Sequence, residues 1–234
     1  MKSGVPPNEN ASVPAVQLKA EGINLRDVWF HGATPNDVAT NLRWQGAKRD
    51  HYGENPLNRG VHIIYLPGRS ADELWTFSWK RRTTLWEAVH VAAQRMGLSV
   101  SVRGSLILLH DEDSSPSGWS LVNSLKKSPV WKQAVDLKID HAQVYKASLR
   151  RVCVFLNKKM HEADPGTSHL EIQAVDGEGP EVTMELRNLA LGEMLWCVAE
   201  LTGARIIEDG TRVILQPAFS AGKSSQKGPS FPAA

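Results

Sequence analysis

The stretch of this 234-residue chain best equipped for binding chemistry is Trp75-Thr76-Phe77-Ser78-Trp79-Lys80-Arg81-Arg82. Period-two alternation puts the three rings on one face of a strand. With the cations that follow, such rings can stack on bases or sugars. Two cysteines, Cys153 and Cys197, are too few for a zinc ribbon but enough for one bridge. Cys153 falls on an apolar helical stripe and Cys197 in an apolar segment expected to pack beside it. Buried thiols are the favoured reading, and a disulfide, which needs an oxidising compartment, stays open. Of the eight histidines, neither His62 nor His169 has a second ligand at metal spacing in its own strand, whereas a metal needs three or four converging groups. The chain contains no G-x-S-x-G, G-x-x-x-x-G-K-[ST], H-E-x-x-H or C-x-x-C. Gly177-Glu178-Gly179-Pro180 reads as a plain loop. No catalytic, metal or cofactor site is therefore expected.

The elements that would position these residues come from a repeat. Shifted by 106 residues, the chain pairs Leu85 with Leu191, Glu87 with Glu193, Ala93 with Ala199, Gly97 with Gly203, Gly104 with Gly210 and Leu109 with Leu215. That exceeds the one or two matches that ordinary composition gives by chance, roughly, over such a window. Upstream the spacing becomes 107, setting Trp75, Phe77 and Trp79 on Val182, Met184 and Leu186, and His62 on His169. By that alignment the aromatic strand is more a core strand than an exposed platform.

The second copy is the clearer text. Val135–Ile139 alternates as a strand, and 144–161 carries a helical stripe that includes Tyr145. A turn at Asp164-Pro165-Gly166 leads into a strand over Leu170–Ala174. Val182–Leu186 is a further half-buried strand, Leu191–Leu201 a helix ended by Gly203, and the last two strands form a hairpin about Asp209-Gly210. The first copy repeats this with a helix over Leu85–Met96, a hairpin turning at Arg103-Gly104, and a longer polar loop over Gly46–Gly60. The expected fold is α+β: two tandem β-α-β-β-α-β-β units, each with two helices packed between small β-sheets. The Leu191–Leu201 helix is apolar nearly all round and must be covered on more than one side. Composition places disordered tails at 1–22 and 218–234, the units at 23–111 and 131–217, and a Pro/Gly/Ser-containing linker at 112–130.

The run Val182-Thr183-Met184-Glu185-Leu186-Arg187-Asn188-Leu189-Ala190-Leu191-Gly192-Glu193-Met194-Leu195, then Leu201-Thr202-Gly203 and Arg212-Val213-Ile214-Leu215, resembles the short domain shared by the periplasmic N-terminus of secretins and the signalling domain of TonB-dependent receptors. The resemblance is good over 135–217 and survives in the first copy mainly over 61–109, where Arg81-Arg82-Thr83-Thr84 replaces Arg-Asn-Leu-Ala. It implies a sandwich of two helices between small sheets, no enzymatic activity, no cofactor, and protein–protein contact in the periplasm or envelope. The start of the chain has no apolar run and does not read as a signal peptide, which leaves a cytoplasmic location or a removed leader open.

Composition agrees with a globular protein: 41% of residues are hydrophobic and 22% charged. No aliphatic run approaches a membrane span. Residues 23–111 carry 11 Lys and Arg against 8 Asp and Glu, and 131–217 carry 10 against 13. Nets of +3 and −3 suggest that the copies meet, within one chain or head to tail between chains, in a contact that salt weakens. The positive half is too diffuse to argue for nucleic acid, so nucleic-acid or glycan binding through Trp75, Trp79, Lys80, Arg81 and Arg82 is the alternative function. Eight tryptophans against three tyrosines is an excess, which two undersized cores would explain by needing large side chains.

Overall fold

The structure, a computed structural model, describes residues 13–50, 59–68, 70–113, 119–175 and 181–217. The tail expected at 218–234, residues 1–12 and the Gly177–Pro180 loop lie outside the described residues. The fold is α+β.

In the first half, helix α1 (Ala15–Gly22) precedes a short strand β1 (Asn24–Leu25), β2 (Val28–Ala33), α2 (Pro35–Arg49), β3 (His62–Tyr65), β4 (Trp75–Trp79), β5 (Thr83–Thr84), α3 (Leu85–Arg95), β6 (Leu98–Arg103) and β7 (Leu106–Asp111). In the second, α4 (Trp119–Lys127) precedes β8 (Lys138–Ala147), α5 (Leu149–Ala163), β9 (Glu171–Ala174), β10 (Val182–Ala190), α6 (Leu191–Thr202), β11 (Ala204–Asp209) and β12 (Arg212–Pro217). Local chemistry sets several of these boundaries. Thr34 and Thr84 each close a capping box, with Asp37 and Glu87 three residues on. Gly203 ends α6 at φ 64°, where a side chain would clash with its own backbone.

Strand pairing recurs between the halves. β2 pairs antiparallel with β4, and β8 with β10. Val28 faces Trp79 and Phe30 faces Phe77, while Ala142 faces Leu186 and Val144 faces Met184. The other sheet has the order β3-β7-β6 in one half and β9-β12-β11 in the other, with β3 parallel to β7 and β9 parallel to β12. Even the bond that starts the last helix repeats: Leu85 N–H donates to Ile23 O at 2.7 Å, and Leu191 N–H to Leu137 O at 2.9 Å.

Several expectations need correction. Residues 15–22, expected in a disordered tail, are helix: α1 buries Val16 and Ala20 in the first core. The linker at 112–130 holds α4, whose Val122 and Leu125 enter the second core. Residues 144–147 belong to β8, because pairing with β10 outweighs the helical stripe, and Tyr145 points to solvent. Residues 134–136 are a 3₁₀ turn, so that strand begins at Lys138. Residues 46–49, expected in a polar loop, are the last turn of α2, and 51–58 of that loop lie outside the described residues. Both hairpins are centred one residue later than expected, on Gly104-Ser105 and Gly210-Thr211, with positive φ at the glycine alone. Glycine at the first central position is the type II′ solution. His62 is not the counterpart of His169: Ile63 pairs with Ile107 as Ile172 pairs with Val213, which sets His62 against Glu171.

The two cores meet at one strand. In β7, Leu106 and Leu108 belong to the second core, while Ile107 and Leu109 belong to the first. A strand with both faces covered reads as a continuous apolar run, which is why Leu106-Ile107-Leu108-Leu109 does not alternate. The same contact explains α6. Its Leu195, Trp196 and Val198 share a buried cluster with Leu66, Leu106 and Leu108 of the first half, so the helix is covered by its own strands and by the neighbouring sheet.

Candidate functional site

Two regions bring chemically capable side chains together. The first is the aromatic strand. Trp75, Phe77 and Trp79 pack against the first core but remain half-buried. Their counterparts Val182, Met184 and Leu186 are buried. The helices are placed alike in the two halves: α5 lies against β8 and α2 against β2, and α6 packs on β10 and β11 as α3 packs on β5 and β6. The rings pack on one another: Phe30 and Phe77 centroids are 5.1 Å apart, and Phe77 stacks on Trp79 at 6.0 Å. The indole N–H groups of Trp75 and Trp79 are buried without an acceptor. Such groups are uncommon and mark a place where the local packing is unfinished. Leu74, next to Trp75, is 69% exposed. Lys80, Arg81 and Arg82 are exposed beyond the end of β4, and Arg82 Nε donates to Asn24 Oδ1 at 3.2 Å.

The tryptophan excess thus has a different meaning from core filling. Trp131 and Trp196 are fully buried, but Trp29 is 68% and Trp44 55% exposed, and Trp75, Trp79 and Trp86 are half-buried. All five tryptophans of the first half keep part of their surface open to solvent, while Phe30 and Tyr65 are buried. Trp44 lies under the Lys48 ammonium, 3.6 Å from the ring centroid.

The second region is the seam between the halves. Arg43 on α2 donates to the Glu185 backbone carbonyl and, at 3.0 Å, to Glu185 Oε2. Arg187 holds the other carboxylate oxygen at 2.6 and 3.0 Å, and His141 Nε2 lies 3.6 Å from it. Burial raises the Glu185 pKa, but the Arg187 hydrogen bond and the charges of Arg43 and Arg187 outweigh it and hold it below the ordinary carboxylate value. His62 on β3 reaches across the seam to the Arg187 carbonyl at 2.7 Å. A carbonyl only accepts, so Nε2 carries the proton and Nδ1 is a bare acceptor, buried and without a partner. Burial, with the nearby Arg43 charge, holds the His62 pKa down to about 4. Ser105, in the β6–β7 turn, donates its hydroxyl and backbone N–H to Glu193 on α6 at 2.8–3.0 Å. The oppositely charged halves therefore meet within one chain.

Beside His62 the seam opens into a cleft of about 500 Å³. Lys19, Arg59, Lys138 and Arg187 line it, with no carboxylate among the described lining residues. None of this cluster was singled out in the sequence, because its members come from α1, the approach to β3, β8 and β10. Only the strand pairing brings them together.

Cys153 and Cys197 are free thiols, both buried. Burial pushes Cys153 up to about 12 and Cys197 well above its ordinary value, so neither is a nucleophile at neutral pH. Among the described residues no group of three His, Cys, Asp or Glu side chains converges as a metal site, and no helix is long and apolar enough to cross a membrane. No protein-family model, curated protein or solved structure matches the chain.

Proposed function

We propose that the protein is a non-catalytic protein–protein interaction module of the bacterial envelope, and that a protein partner docks on the β2–β4 face of the first half. The envelope setting rests on the resemblance of residues 135–217 to the secretin and TonB-receptor short domain. The observation that carries the docking face is the contrast between half-buried Trp75, Phe77 and Trp79 and their buried counterparts Val182, Met184 and Leu186. One topology closes this face in one half and leaves it part open in the other. Aromatic side chains that are already ordered lose little entropy on binding and are the usual anchors of interfaces. β2 and β4 pair only with each other among the described residues, so a partner can also add a strand at a free edge.

A nucleic-acid or glycan ligand would use the same rings with Lys80, Arg81 and Arg82. It is disfavoured because Phe77 and Trp79 stack on each other, not outward for a base or sugar. The two readings separate in one experiment. Trp79 is replaced by Thr, which strands accept, and the melting temperature is followed so that loss of the partner is kept apart from loss of the fold. The wild type should retain one envelope protein in stoichiometric amount, the Trp79→Thr variant should lose it while still melting cooperatively, and single-stranded DNA and glycans should leave tryptophan fluorescence unquenched. Quenching by either ligand, with no partner dependent on Trp79, would replace this reading with the alternative.

A further inference from the structure

The cleft at the seam is built from both halves and is chemically unlike its surroundings. Lys19 comes from α1, Arg59 from the segment leading into β3, Lys138 from β8 and Arg187 from β10. Four cations around one cavity repel one another, and folding tolerates this only with counter-charge nearby. Part of it is present: Lys19 pairs with Asp50 at 3.2 Å, Arg187 with Glu185 at 2.6 Å, and Arg59 is engaged as well. Neither carboxylate lines the cleft, and Lys138 makes no ion pair among the described residues. His62 and Ser105 complete the wall without donating: the free Nδ1 of neutral His62 is an acceptor and the Ser105 hydroxyl is taken up by Glu193, so the contacts to an anion come from the cations.

We propose that this cleft binds a small soluble ligand bearing a phosphate group, whose oxygens are held by Lys19, Arg59, Lys138 and Arg187. A phosphate fits better than a carboxylate because cations approach from four separate chain segments. A tetrahedral dianion offers oxygens in several directions, whereas a carboxylate presents two in one plane. The cleft is large enough for more than the bare anion, in the range of small-molecule sites. Because its walls belong to both halves, the ligand also clamps them together, and it stabilises the folded chain in proportion to its occupancy.

The test uses the full chain with inorganic phosphate and pyrophosphate as probes, at ionic strength matched with sodium chloride. Both should raise the melting temperature saturably, pyrophosphate more. The Lys138→Glu variant should weaken binding by about tenfold or more, as expected for loss of a charge-assisted contact. A Lys158→Glu variant, which changes the charge equally on the exposed face of α5, should bind as wild type. The proposal is overturned if neither anion stabilises beyond the chloride control, or if the two variants lose affinity equally, which would indicate only general charge attraction. Binding to phosphatidylglycerol vesicles without a response to either soluble probe would also overturn it, in favour of a lipid headgroup.

Discussion

His62 is where the seam is most sensitive to a single proton. Its ring donates to the Arg187 carbonyl and has around it Arg43 on α2, Lys19 on α1, Arg59 before β3, Arg187 and Glu185 on β10, and Glu193 on α6. The folded pKa of about 4 lies below the unfolded value near 6.5, so the unfolded chain takes up the proton first as pH falls. The contribution of neutral His62 is complete above about pH 6.5 and is lost as pH drops towards 4. Between about pH 7.5 and 4.5, wild type should lose about 2–3 kcal/mol more than His62→Gln, read from urea unfolding at each pH. Equal losses in the two proteins would show that His62 titrates normally when folded. A histidine in a strand gave no hint of this in the sequence, since its partner, Arg187, lies 125 residues away. The cysteines were more legible: an apolar helical stripe implied burial, and the structure has both as buried free thiols.

Among the elements, those with strong local signals were the readable ones. The capped helix α3, the apolar helix α6 and the glycine-turned hairpins follow from caps, periodicity and backbone freedom. α1 and α4 do not. α1 is eight residues long, has no side-chain cap at Pro14 and buries only Val16 and Ala20. α4 follows a Ser/Pro/Gly stretch that reads as a boundary. Short helices are marginal alone, so their stability comes from packing, which composition does not record. α1 packs on α3 as α4 packs on α6. The segments that read as tail and linker thus begin each half with an equivalent element. Leu125 on α4 is nearly inaccessible, and Leu125→Ala should cost about 2–4 kcal/mol in urea unfolding, against a few tenths for a true linker position. A loss below about 0.5 kcal/mol would mean α4 is not part of the second core.

At the scale of the whole molecule, β7 ties the halves together. Its first four residues are divided between two cores, and Arg43–Glu185, His62–Arg187 and Ser105–Glu193 bonds flank it. Independent units would unfold in two steps, whereas a shared strand couples them. Calorimetry should show one transition whose van't Hoff and calorimetric enthalpies agree, and Leu108→Ala should lower it as a whole. Two resolved transitions, with Leu108→Ala moving one, would make the halves independent. The chain's own pattern determined the α+β class, the order of the main strands and helices, and the recurrence of glycines, apolar positions and helix-start glutamates between the halves. These are set by interactions within a few residues, which periodicity records. Only tertiary structure decided which aromatics are open, which short segments become helix and where four cations converge. Each of these depends on strands and helices from distant parts of the chain meeting in one register, and the hydrophobic burial that drives the meeting acts on surface area, not on sequence neighbours.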